Sequence, residues 1–594
     1  MQESRTGCDT TTTDAGTKFA RAEYWRSAED LEKTPEFREL MAREFGPNAQ
    51  ELANGDERRT FIKLMGAGFA LAGLAACRRW PESKIVAFSQ AQVGRTPGIP
   101  VGFATSVDVL GVSWPVVAKS YDGRPIKFEG NPTLGFSGGS NAVIQSRVLE
   151  LYDPDRSRTL LKSGLPSDWA AFAGWAGEFN TKFQQNGGAG LAVLTDGASG
   201  PTLDDMKSRF LALYPKAWWG SWNTLAADAA VDASKAVLGG SALALPFLGK
   251  AKVALVLDAD LLGCPSTGVF HSAEWAKNRR VEAADPSKQE LSRMYVAEPS
   301  VTVTGMSSDE RFALRRSDVA VFAALVAKEL GIGGVDALAG NARAGALLDA
   351  RGKEGFAALV ADLKAAGRDA LVVAGPMQDA ATHAIAAAIN EKLGAVGNTV
   401  AYIDGPANGH AAQIRQLGEA LASGAIDTLV ILGGNPAYDA PADVDFAAKM
   451  AKAKDVVHVS FYANETSKSS ACTWHVPSSH SLESWADGRA IDGTVVPQQP
   501  LILPLMDSAQ GGRNALEVLA TLTADEVSSS YEIVRRAHMK VSGLYGTAFE
   551  AWWRGNLDRG AVEGTAWKSV ARSVNAGALA DLCGKASAGI GGEF

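Results

Sequence analysis

Asp427-Thr428-Leu429-Val430-Ile431-Leu432-Gly433-Gly434-Asn435-Pro436 places four consecutive aliphatic side chains ahead of two glycines and a proline. A run that is apolar at every position, not at alternate ones, suits a strand buried on both faces, and the glycines mark where it stops. The same pattern recurs at 191–195, 252–258, 370–375, 399–403 and 455–460. Between these runs, helical periodicity appears over 319–330, 380–393 and 411–422. Strands alternating with helices predict parallel sheets covered by helices. The fold class is therefore read as α/β, with two doubly wound parallel-sheet units at 168–335 and 336–500. A small β-rich element precedes them within 78–167, where 116–121 and 125–129 flank Asp122-Gly123, a strong hairpin signal. Residues 501–594 are expected to wrap back around the sheets, with helix near Phe549 to Trp553.

Composition narrows the function classes. At about 150 residues per domain, 594 residues predict about four structural units. Hydrophobic residues make up 46% and charged residues 21%, the balance of a globular chain. The net charge of −8 gives no electrostatic footing for nucleic acid. The five cysteines, Cys8, Cys77, Cys264, Cys472 and Cys583, include no C-x-x-C. A cubane cluster on a local loop, a zinc ribbon and covalent haem attachment are therefore not expected on this chain.

The first 56 residues read as a polar tail followed by an amphipathic helical segment that carries Trp25, Leu31, Phe37, Leu40, Met41 and Phe45. Residues 57–77 then present Arg58, Arg59, Phe61 and Lys63 ahead of the uncharged run Leu64 to Cys77, the pattern of a twin-arginine export signal. That run is too short to cross about 30 Å of hydrocarbon. The alternative is a buried helix behind a surface arginine pair. Leu74-Ala75-Ala76-Cys77 also fits a lipobox in which Cys77 would be acylated, against the plain reading of a cysteine among small residues. Residues 81–100 read as an extended connector. The apolar stretch 238–257 is interrupted by Lys250 and Lys252, so no membrane span is expected there.

Candidate chemistry is sparse. Gly433-Gly434-Asn435-Pro436 stands where doubly wound sheets bind ligands, yet it lacks the spacing of a dinucleotide fingerprint, and a structural turn is the competing reading. Gly375-Pro376 carries the same ambiguity. His475 and His480, with Glu483 and Asp487 nearby, make a metal set on paper. Their five-residue spacing across Pro477 does not suit a helical zinc site, and structural histidines are the favoured reading.

The segment Tyr121-Asp122-Gly123-Arg124-Pro125-Ile126-Lys127-Phe128-Glu129-Gly130-Asn131-Pro132, followed by Leu151-Tyr152-Asp153-Pro154-Asp155-Arg156, resembles the molybdopterin oxidoreductase superfamily. More closely, the chain is similar to the exported molybdopterin-oxidoreductase-like subunit of alternative complex III, a quinol:electron acceptor oxidoreductase. Further matching segments are Tyr24-Trp25-Arg26-Ser27, Thr34-Pro35-Glu36-Phe37, the displaced twin-arginine signal, Leu257-Asp258-Ala259-Asp260, Gly433 to Pro441, Leu482-Glu483-Ser484-Trp485 and Gln499 to Leu505.

The resemblance implies a non-catalytic structural subunit of a quinol-oxidising respiratory complex at the periplasmic face of the bacterial inner membrane. It implies no catalytic, cofactor-binding or metal residue on this chain. Iron–sulfur clusters and haem c are expected on partner subunits: a ferredoxin-like iron–sulfur protein, polytopic quinol-binding membrane subunits and cytochrome c subunits. The family's cluster-bearing ferredoxin-like half is missing from this sequence, which predicts that it is a separate polypeptide. No cysteine occurs between Val101 and Ser167, where cluster-bearing relatives place ligands. Two other readings stay open, a stand-alone molybdopterin oxidoreductase using Gly433 to Pro436 for pterin phosphates, and an exported binding lipoprotein.

Overall fold

The computed structural model divides into two units, Met1–Gly94 and Arg95–Phe594. The described residues lie between 98 and 590, with Thr34, Pro35, Glu36, Glu39 and Thr96 before them. They omit 134–137, 226–227, 283–284, 286–288, 349, 405–409 and 506–511. Arg58, Arg59, Phe61, Lys63, Cys77 and the amphipathic segment, apart from Thr34, Pro35, Glu36 and Glu39, lie outside the described residues. Nearly all of the described residues belong to the second unit.

That unit opens with an antiparallel meander, β1 (Val101–Val109), β2 (Val112–Tyr121) and β3 (Arg124–Gly130). Both connections are two-residue turns with positive φ at each position, Leu110-Gly111 (56° and 85°) and Asp122-Gly123 (47° and 85°). This geometry matches the right-handed twist of the flanking strands, which is why Asp-Gly is legible as a hairpin. β1 is an addition to the two strands expected there.

The chain continues through β4 (Leu161–Lys162), β5 (Leu165–Pro166), β6 (Leu191–Thr195), β7 (Trp218–Ser221), β8 (Ala242–Pro246), β9 (Val253–Leu257), β10 (Arg293–Glu298) and β11 (Glu310–Ala313). It ends its strands with β12 (Ala370–Ala374), β13 (Val400–Asp404), β14 (Thr428–Leu432), β15 (Asp455–Ser460), β16 (Trp474–Pro477), β17 (Ala486–Arg489) and β18 (Val495–Gln498). The larger sheet has seven strands in the order β5-β4-β16-β15-β14-β6-β7, parallel from β16 to β7. The smaller has four parallel strands, β11-β10-β9-β12.

The wholly apolar runs are explained by burial on both faces. In β14, Val430 and Leu432 join a core with Phe172, Phe183 and Trp474, while Leu429 and Ile431 join another with Ile414, Leu417 and Met450. In β9, Val253, Leu255 and Leu257 face one core, and Ala254 and Val256 face the opposite one. The covering helices carry local start and stop signals. Trp169–Asn186 begins where the Asp168 side chain accepts from the Ala171 amide and ends at Gly187 with φ 67°. Ala380–Leu393 likewise starts at Asp379 and stops at Gly394 with φ 73°.

Two expectations are corrected. The sheets do not divide at 335/336: the larger takes β6 and β7 from before that point and β14 to β16 from after it. The smaller takes β9 to β11 from before and β12 from after. The smaller sheet is thus inserted between two halves of the larger, since order along the chain does not dictate lateral neighbours. The run 399–403 forms β13, which pairs antiparallel with β8 in a separate ribbon and not in a parallel sheet. The last helix, Ala576–Ile590, returns to the core of the smaller sheet through Leu579 and Cys583.

Candidate functional site

In the larger sheet the chain steps from β6 outward to β7, then returns to β14 on the other side of β6 and steps the opposite way through β15 to β16. The order reverses between β6 and β14. At such a point successive loops diverge and leave a crevice beyond the carboxyl ends of the strands. A cavity of about 500 Å3 lies here, bounded by Thr195 and Asp196 after β6, Gly433 and Gly434 after β14, and Ser460 at the end of β15. Asp108 of β1 and Arg147 and Glu150 of helix Ala142–Leu151 close it from the meander side. The smaller sheet reverses between β9 and β12, but there the backbones meet. A side chain on Gly375 would collide with the Asp258 carbonyl.

The cavity is acidic. Asp108 accepts from the Gly111 amide at 3.1 Å and from Ser113 Oγ at 3.5 Å. Its burial, and next the nearby charge of Asp196, push its pKa up to about 6. Asp196 lines the cavity as an exposed residue, and desolvation by the protein around it pushes its pKa upward. Asp487 is buried, receives His538 Nε2 at 2.9 Å and accepts from the Thr202 hydroxyl. The cation of the lining, Arg147, is already engaged by Glu150 at 2.7 Å. Asp108 near the end of β1 and Asp196 in the loop after β6 thus bring two carboxylates of raised pKa to one cavity; Asp108 holds its proton up to about pH 6, and the ionised pair repels anions.

Gly433 and Gly434 both have positive φ, 80° and 71°. A Cβ on Gly433 would lie 2.5 Å from Asp196 Oδ2, so the Asp196 side chain already occupies the close approach that this glycine permits. The Gly434 carbonyl accepts from His458 Nε2 (3.1 Å) and Asn464 Nδ2 (3.3 Å). Asn435 Oδ1 accepts from the amide and hydroxyl of Thr466 at 3.1 and 2.8 Å. Gly433 to Pro436 is thus a turn tied to the loop after β15, and the helix that follows spans only Pro436–Asp439.

The paper metal set does not assemble. His475 Nε2 meets Ser157 Oγ at 2.7 Å, while His480 accepts the Leu482 amide at Nδ1 and donates from Nε2 to the Arg147 carbonyl at 2.9 Å. Burial pulls both imidazoles down to about 4, so they are neutral at pH 7. Glu483 is clasped by Arg156 through contacts of 2.6 and 3.1 Å, and Asp487 turns to His538. Burial alone would raise Glu483; Arg156 and the amides of Leu505 and His480 outweigh it and hold the carboxylate below its usual range. Among the described residues no group of three or more His, Cys, Asp or Glu is placed to hold a metal ion. Cys264, Cys472 and Cys583 are free thiols.

The Arg156–Glu483 pair joins two of the segments that carry the family resemblance, 151–156 and 482–485, through a contact between residues 327 positions apart. Sequence reasoning did not single out Asp108 or Asp196. The one local signal was Asp196-Gly197 directly after an apolar strand; nothing in the sequence links it to Asp108.

No protein-family model matches the chain. No curated protein matches it by sequence. Among solved structures, acetylene hydratase from Pelobacter acetylenicus, a molybdopterin-family enzyme, aligns with a TM-score of 0.56 at 12% identity, covering 75% of this chain and 73% of its own. At that identity the likeness is one of fold, and function must be argued from the site. The chain has a molybdopterin-oxidoreductase-like α/β fold.

Proposed function

We propose that this chain is a structural, non-catalytic subunit of a membrane-associated, quinol-oxidising electron-transfer complex of the alternative complex III kind. The observation that carries the reading is the acidic switch-point cavity. A molybdopterin cofactor is phosphate-bearing and anionic, and the residues here do not fit it. Asp108 and Asp196 bring two carboxylates without a partner cation to the space, Glu150 and Arg147 offset each other, and Asp196 fills the approach at Gly433. No catalytic step is assigned to this chain. Its part is to position subunits that carry iron–sulfur clusters and haem. The export pattern at Arg58 and Arg59, with the lipobox pattern ending at Cys77, supports a place on the periplasmic face of the inner membrane.

The test is purification of the tagged chain from its native membranes, with iron and molybdenum measured on the same sample and co-purifying proteins identified by mass spectrometry. The reading expects cluster-bearing and haem-bearing subunits in constant ratio, without molybdenum. Stoichiometric molybdenum in a chain that purifies alone would replace it with the second reading, a stand-alone molybdopterin oxidoreductase, which the fold likeness favours.

A further inference from the structure

The cavity at the reversal point of the larger sheet is left with uncompensated negative charge. Asp108 and Asp196 come to it from separate elements, β1 and the loop after β6. Asp196 is an exposed residue and Asp108 a partly exposed one, so solvent reaches both. Among the described residues neither is ion-paired. Asp108 accepts from the Gly111 amide at 3.1 Å and only distantly, at 3.5 Å, from Ser113 Oγ, while Asp196 Oδ1 accepts from the Ala198 amide at 3.2 Å. An ionised carboxylate has about four acceptor positions, so each keeps capacity for a further donor. Burial, and next the charge of Asp196, raise Asp108 to about 6, so the two carboxylates feel each other. Arg147, the cation nearby, is offset by Glu150. Like charges held together in partly desolvated surroundings are costly, and a bound cation offsets that cost.

The rest of the lining narrows the kind of cation. Leu203, Val459, Phe461 and Leu516 supply apolar walls, and the volume of about 500 Å3 falls in the range of about 300–1,000 Å3 usual for small-molecule pockets. Among the described residues no set of three or more His, Cys, Asp or Glu is placed to hold a metal ion, so the arrangement suits an organic cation. We propose that this cavity binds an ammonium group on an apolar body, the ammonium held by the carboxylates of Asp108 and Asp196 and the body lying against the apolar walls. An ammonium carries three N–H donors, enough to serve both carboxylates. The inference draws on the same acidic cavity as the proposed function but on no partner subunit, so binding by the chain alone and co-purification from membranes can fail independently.

The probes are 2-phenylethylamine, 2-phenylethanol and phenylacetate, alike in body and different in charge, titrated into the full chain at pH 8 by calorimetry. Wild type is expected to bind the amine at least about tenfold more tightly than the alcohol, the worth of one hydrogen bond to a charged group, and phenylacetate more weakly than the alcohol. Asp108→Asn and Asp196→Asn, close in shape and uncharged, should each lower affinity for the amine about tenfold and leave that for the alcohol unchanged. The double variant should erase the preference. Circular dichroism confirms that each variant is folded; if one is not, the remaining variants carry the test. Absence of amine binding to wild type overturns the proposal. So does an amine preference that survives both substitutions, which would place the cation elsewhere on this acidic chain, or phenylacetate bound as tightly as the amine.

Discussion

Asp108 shows how one side chain couples the meander to the cavity. In the unfolded chain its pKa is near 3.8, and in the folded chain it is about 6. The folded state therefore binds more protons between those values, and this group's contribution to stability falls as pH rises through that window, by about 3 kcal/mol at most. Asp108→Asn keeps an oxygen for the Gly111 amide and removes the ionisation. The variant is expected to match wild type near pH 4 and to exceed it at pH 7, as measured by urea unfolding at both. A difference independent of pH would refute the assignment. Arg156 and Glu483, with side chains 2% and 1% exposed, make the opposite kind of site. Arg156→Met strands a buried carboxylate and should cost about 3–5 kcal/mol, whereas adding Glu483→Leu should recover most of the loss. Comparing the thermal unfolding midpoints of the single and double variants tests this.

At the scale of elements, the two reversal points contrast. Between β6 and β14 the loops stand apart and the gap is filled by a side chain, Asp196. Between β9 and β12 it is filled by backbone, Gly375 against Asp258. A side chain can rotate away and a peptide cannot. Gly433→Ala is therefore expected to cost about 1–2 kcal/mol, mostly for its positive φ, and Asp196→Ala should relieve the remaining crowding. Gly375→Ala should cost more than about 4 kcal/mol and deplete the soluble protein. Equal losses at the two positions, by expression and unfolding midpoint, would show that the second reversal point can open like the first.

At the scale of the whole molecule, export is the feature that the proposed function depends on most. With Arg58→Lys and Arg59→Lys together, both this chain and the cluster-bearing partner proposed for it are expected to remain in the cytoplasm, as read by fractionation and immunoblot; such a partner exported normally would show that the signal does not serve the pair. The sequence alone determined the α/β class, because a strand buried on both faces must be apolar at every position, as Leu429 to Leu432 are. It also determined the Asp122-Gly123 hairpin and the ends of helix Ala380–Leu393, because turns and caps depend on residues a few positions apart. Only the tertiary structure decided that β6 lies beside β14, that β13 leaves the parallel sheet for β8, and that Asp108 and Asp196 face one cavity. Apolar strands are nearly interchangeable as neighbours, and their order follows from the packing of the whole core, which no local stretch encodes.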